Sequence, residues 1–217
     1  MSPFRSSTVL AALVLGSATF ALSLSHAEKA ADLQLASGSL GKPAFEETFD
    51  TPSLAAAWSV KKGDWQVQDG SLVGKEKKED NHPAVLFLDK PLHDSTIRFS
   101  FKLDGSKGLA LSYNTGKGHL FRCSFNAKGV VINRDRDKND AASKASEMAK
   151  ATTTFNKGSW YTVLVSIEGN KVTLRTDNGV QLEATDPALN VEKTGFRFVT
   201  TGESVALDDV KVWQKPS

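Results

Sequence analysis

From Thr96 to Leu103 the chain alternates without exception: Ile97, Phe99, Phe101 and Leu103 are large and apolar, while Thr96, Arg98, Ser100 and Lys102 are polar. Only a β-strand with one buried and one wet face satisfies that period, because successive strand side chains point to opposite sides. Tyr161, Val163, Val165 and Ile167 repeat the pattern, as do Val172 with Leu174 and Phe196 with Phe198. Turn formers stand between the runs. Asp69-Gly70 and Asn178-Gly179 are hairpin signals, and Asp104-Gly105, Asn114 to Gly118 and Gly169-Asn170 also mark turns. About a dozen short strands at intervals of roughly 8–12 residues, with almost no helical period, predict an all-β, two-sheet antiparallel jelly-roll sandwich. A closed barrel is the structural alternative.

One stretch breaks the alternation. In Ser204 to Trp213, Val205 and Leu207 share one parity and Val210 and Val212 the other. A strand keeps all four on one face only by slipping one residue between them, so a β-bulge is expected at Asp208-Asp209. The strand starting at Phe45 is expected to lie beside this closing strand.

The ends of the chain read differently. Arg5 precedes the apolar, uncharged segment Thr8 to Leu24, and Ser25-His26-Ala27 offers small residues at the positions one and three before a break. That pattern predicts a signal peptide over 1–27 and a secreted or periplasmic domain. The alternative is a retained membrane anchor; no cysteine stands near Ala27 to carry a lipid. Residues 28–42 read as a flexible arm and 43–215 as the jelly-roll domain. Net charge over the 217 residues is +2, which argues against a nucleic-acid partner. Cys123 is the single cysteine, so no disulfide within the chain is possible, and its alternation with Phe121 and Phe125 marks it as a small buried hydrophobe. Arg136 to Gly158 is a long charged insertion whose alanine, lysine and glutamate content predicts one short helix.

Three motifs together resemble a known group. Phe45-Glu46-Glu47-Thr48-Phe49-Asp50, Gly63-Asp64-Trp65-Gln66-Val67-Gln68-Asp69-Gly70-Ser71-Leu72 and the closing Leu207 to Trp213 are similar to the concanavalin A-like lectin and glucanase superfamily. More narrowly they resemble its secreted bacterial domains of 3-keto-disaccharide hydrolase type. The resemblance implies a jelly roll with a concave sheet that meets carbohydrate and, in some members, cleavage of sugars oxidised at the 3-position. The superfamily's family 16 glycosidases carry Glu-x-Asp-x-x-Glu or Glu-x-Asp-x-Glu; neither spacing occurs here, which excludes that two-carboxylate chemistry. In related jelly rolls an acidic residue of the last strand helps hold a structural calcium. Carried over by position, the ligands would be Asp208 or Asp209, Glu46 or Glu47 and the Gly70 carbonyl, completed by water.

Ligand chemistry is expected on the wet faces of the middle strands. Arg98, Ser112, Asn114, Arg122, Ser124 and Asn133 offer the donors and acceptors that sugar hydroxyls require. His82 and His119 each stand at a strand entrance and can act as bases or metal ligands, with Asp135 and Arg122 orienting substrate. Three functions follow: a secreted carbohydrate-binding domain, a hydrolase or lyase acting on 3-keto-glycosides, and an envelope structural or adhesion protein.

Overall fold

The computed structural model describes residues 40–214, together with Leu33. The expected signal peptide and most of the arm lie outside the described residues. Among the described residues fifteen strands follow one another: β1 Phe45–Glu47, β2 Trp58–Lys62, β3 Asp64–Gln68, β4 Ser71–Lys75, β5 Ala84–Leu92, β6 Ser95–Leu103, β7 Ser106–Thr115, β8 Gly118–Asn126, β9 Gly129–Arg134, β10 Ser146–Thr152, β11 Trp160–Glu168, β12 Lys171–Thr176, β13 Gln181–Thr185, β14 Lys193–Gly202 and β15 Val205–Gln214. They form two antiparallel sheets, a jelly-roll sandwich rather than a barrel. The first runs β13-β12-β11-β6-β15-β4-β3 with β1 added on β15; the second runs β10-β9-β8-β7-β14-β5-β2.

The inner faces meet through aromatic side chains. Phe99 of β6 lies 5.0 Å from Phe198 of β14, and Phe101 of β6 lies 5.2 Å from Phe125 of β8, centroid to centroid. Each such ring, fully buried, contributes about 1.5–3 kcal/mol of transfer free energy. This apolar layer holds the sandwich without a disulfide. Cys123 sits inside it as a free, buried thiol whose ionisation burial opposes, so it is no nucleophile.

The last strand bulges where its parity slips. Its pairing with β6 shifts between Asp208 and Lys211, and Asp209 takes φ +50°. The slip also marks a change of partner. Before it, Val205 to Leu207 pair with β4; after it, Val210 to Val212 pair with β1. Phe45 faces Val212, as the sequence suggested. Asp69 (φ +50°) and Gly70 (φ +70°) close the β3–β4 hairpin in the left-handed region that its tight turn requires.

One expectation needs correction. The 136–158 insertion holds no helix: turns over 137–142 lead into β10, which pairs antiparallel with β9. The exposed edge of β9 supplies a row of backbone partners, and Met148, Ala149 and Ala151 pack against the core from the strand. Helix propensity, worth a few tenths of a kcal/mol per residue, loses to that pairing.

Candidate functional site

The outer face of the second sheet collects the side chains opposite the core. On β7 these are Ala110 and Ser112, on β8 Arg122 and Ser124, on β9 Val131 and Asn133, on β14 Arg197 and Val199, and on β5 Val85 and Phe87, since Leu111, Cys123, Ile132, Phe198 and Leu86 point inward.

His119 reaches this face through a bulge. Counting back from buried Phe121, strict alternation would turn Leu120 outward and His119 inward. The β7–β8 register instead jumps from Tyr113↔Phe121 to Asn114↔His119, leaving Leu120 unpaired in the ladder. His119 thereby shares the outer face with Ser112 and Arg122. The carbonyl of the skipped Leu120 accepts from the backbone N–H of Asp135 at 2.8 Å, which fixes Asp135 beside the site. There its buried carboxylate takes a hydrogen-bonded ion pair from the Arg122 guanidinium.

His82, Ser112, His119, Arg122 and Arg197 line one cavity of about 230 Å³, together with Pro83, Val85, Ala110 and Val199. His82 is exposed, and its Nδ1 lies 2.8 Å from the Pro83 carbonyl oxygen. A carbonyl only accepts, so Nδ1 carries a proton and Nε2 is the ring nitrogen left for the cavity. Burial first, and then the nearby Arg197 guanidinium, hold His119 below the ordinary imidazole pKa; Asp135 pulls the other way. At neutral pH His119 is therefore an uncharged base. Arg197 Nη2 donates to Oδ1 of buried Asn114 at 2.5 Å, which sets the guanidinium across the face.

The expected site residues thus divide. His82, His119, Ser112 and Arg122 converge on the cavity, with Asp135 behind Arg122 and Asn114 behind Arg197. Ser124 and Asn133 share the sheet face but not the cavity lining. Arg98 stands apart from them: it belongs to β6, on the outside of the first sheet, where Nη1 pairs with Asp209 at 2.7 Å. Arg197 was not anticipated, although its place between Phe196 and Phe198 already marked it as outward-facing.

Asp208, Asp209 and Gly70 line a separate cleft on that first sheet with Trp160 and Lys102. They do not fit calcium as arranged. Asp209 is engaged by Arg98 and, at 3.4 Å, by Lys211. The Glu47 carboxylate accepts from the backbone of Phe49 and Ala55 at 3.2 and 3.3 Å, pinning the loop after β1. Among the described residues no three His, Cys, Asp or Glu side chains are grouped to hold a metal ion.

The family described as 3-keto-alpha-glucoside-1,2-lyase-like domain matches residues 44–212. No curated protein matches the chain. Among solved structures, the carbohydrate binding module CBM66 from Bacillus subtilis superposes with TM-score 0.58 at 15% identity, covering 73% of this chain and 96% of its own. SCLam, a non-specific endo-beta-1,3(4)-glucanase from family GH16, gives TM-score 0.60 at 12% identity, covering 81% and 91%. A Bacillus subtilis protein with a galectin-like fold gives TM-score 0.61 at 13% identity, covering 80% and 96%. These structures share the concanavalin A-like sandwich, a fold that carbohydrate-binding modules and glycosidases both use. No helix among the described residues is long and apolar enough to cross a membrane.

Proposed function

The chain belongs to the 3-keto-alpha-glucoside-1,2-lyase-like domain family, and from that premise we propose that it binds carbohydrate on the outer face of the second sheet and cleaves 3-keto-glycosides there by elimination. The observation that carries the reading is the convergence of His82, His119 and Arg122 on one cavity. In a 3-keto-glycoside the C2 hydrogen is acidified by the neighbouring carbonyl. Neutral His119 takes that proton. The electron pair left on C2 forms the C1=C2 double bond as the C1–O bond breaks, and the departing oxygen takes a proton from His82 or from water. Arg122, held by Asp135, faces the negative charge that gathers on the C3 oxygen during proton removal. Ser112 on the cavity wall offers a hydroxyl to the sugar.

The same reading takes the domain to be exported, supported by the apolar segment Thr8 to Leu24 and the small-residue site at Ala27. An adhesion role gains nothing here: among the described residues the exposed large hydrophobics are Val60 and Val191, too few for an apolar docking patch. The test is turnover of a 3-keto-glucoside by the parent protein and by His119→Ala. Loss of turnover with unchanged thermal unfolding is expected. Equal turnover removes His119 from the chemistry. Carbohydrate binding with no turnover in the parent leaves recognition alone as the function.

A further inference from the structure

Charge is unevenly distributed around this site. A second cavity of about 420 Å³ adjoins the first; His82, Val85 and Arg197 line both, and Lys61 and Lys62 of β2 close its far side with Phe87, Asn114, Thr115 and Gly118. Across the two linings stand Lys61, Lys62, Arg122, Arg197 and two histidines, and not one carboxylate. This is not the balance of the whole chain, where 25 acids nearly match 27 bases. The acids nearest by pairing lie outside the linings: Asp135 pairs with Arg122 and acts at longer range on Arg197 and His119, and Asp80 stands 3.6 Å from Lys62 while accepting from the Gly63 backbone. Lys61 and Arg197 have no ion-pair partner among the described residues. The Lys61 ammonium lies 6.0 Å from the Phe87 ring centroid, and Arg197 meets only the neutral Asn114 amide directly.

A neutral sugar gives such a lining no reason to exclude acids. Hydroxyl recognition ordinarily uses carboxylates and amides as acceptors, and both cavities lack the former. Two cations with no carboxylate paired directly to either on one wall, one of them fixed by an amide and the other leaning on an aromatic ring, suit a ligand oxyanion, which guanidinium and ammonium groups bind by charge-assisted hydrogen bonds. We propose that the glycoside accepted here carries an oxyanion substituent, a carboxylate or a sulfate, seated between Arg197 and Lys61. The inference rests on the site assignment above and adds the substrate's charge class to it. The unit oxidised at C3 then occupies the cavity of His82, His119 and Arg122, and the charged substituent extends toward β2.

Binding is the readout, because it stands apart from turnover. Methyl β-glucuronide, glucose 6-sulfate and methyl β-glucoside are titrated into the parent protein, Lys61→Ala and Lys61→Glu by isothermal calorimetry or NMR shift perturbation. At least one anionic probe is expected to bind about threefold or more tighter than the glucoside, as two partly exposed ion pairs would give. The preference shrinks as salt is raised from about 0.05 to 0.5 M, falls in Lys61→Ala and reverses in Lys61→Glu. Whichever of the two anions shows the effect identifies the substituent. Equal affinity for all three probes, absence of binding by both anions, or a preference untouched in Lys61→Glu overturns the proposal. If the preference is present while no 3-keto-glycoside is turned over, the anion site stands and the elimination reading falls.

Discussion

Replacing Asp135 by asparagine tests whether the Arg122 pair is a working part of the site. The carboxylate side chain is 6% exposed and its guanidinium partner 46%. Deleting one member of a fully buried pair costs about 3–5 kcal/mol, whereas exposed pairs are worth only about 0.2–1 kcal/mol. Here the arginine can rehydrate when its partner is lost but the buried carboxylate environment cannot, so a cost of about 1–2 kcal/mol is expected. For a domain of this size that lowers Tm by about 2–8 °C. The substitution also removes the one nearby group that favours protonated His119, leaving Arg197, Arg122 and Lys138 to disfavour it. The His119 pKa therefore falls further, and the acid limb of kcat/KM moves to lower pH. Differential scanning calorimetry and a pH–rate profile read the two effects separately. An unchanged or raised Tm would show that the pair contributes nothing, and a limb that stays put or moves upward would refute the electrostatic account of His119.

The converse substitution, Arg197→Gln, removes a cation that holds His119 down, so the acid limb should shift to higher pH; a shift downward would contradict the cause assigned. His119 also links stability to pH. Its folded-state pKa lies below the ordinary 6.5, so its contribution is present above that value and is lost as pH falls beneath it, a decline that His119→Ala should lessen in acid unfolding curves. Gly74→Ala should destabilise the edge of the first sheet by about 1–3 kcal/mol, because a Cβ there would stand 2.3 Å from Cζ3 of buried Trp65. An unaltered Tm would mean that the indole does not cover Gly74.

The fold was largely legible because period and punctuation are local properties. Val205 and Leu207 against Val210 and Val212 disclosed the bulge at Asp208-Asp209, and Asp69-Gly70 disclosed its hairpin. What escaped depends on partners distant in sequence. Alternation marked Arg98 as wet-faced but could not say that β6 belongs to the sheet opposite the cavity. For His119, alternation alone pointed inward; the bulge opposite Asn114 reverses it, and such a slip leaves no mark where no large apolar residue precedes Leu120 in the strand. Ser146 to Thr152 became a strand because the edge of β9 was available, a fact absent from its alanine-rich composition. Arg197 and Lys61 were readable as exposed cations, yet their common purpose emerges only when β14, β5 and β2 lie side by side.

The central claim is proton removal at C2 by His119. Incubating a methyl 3-keto-α-glucoside in D2O with the parent protein and with His119→Ala, and following both by ¹H NMR, tests it most directly. The account expects the parent to release methanol and form a C1=C2 enone with loss of the C2 proton, and His119→Ala to leave the glycoside intact while still unfolding cooperatively. Release of methanol with the C2 proton retained, or equal product from the variant, would contradict it.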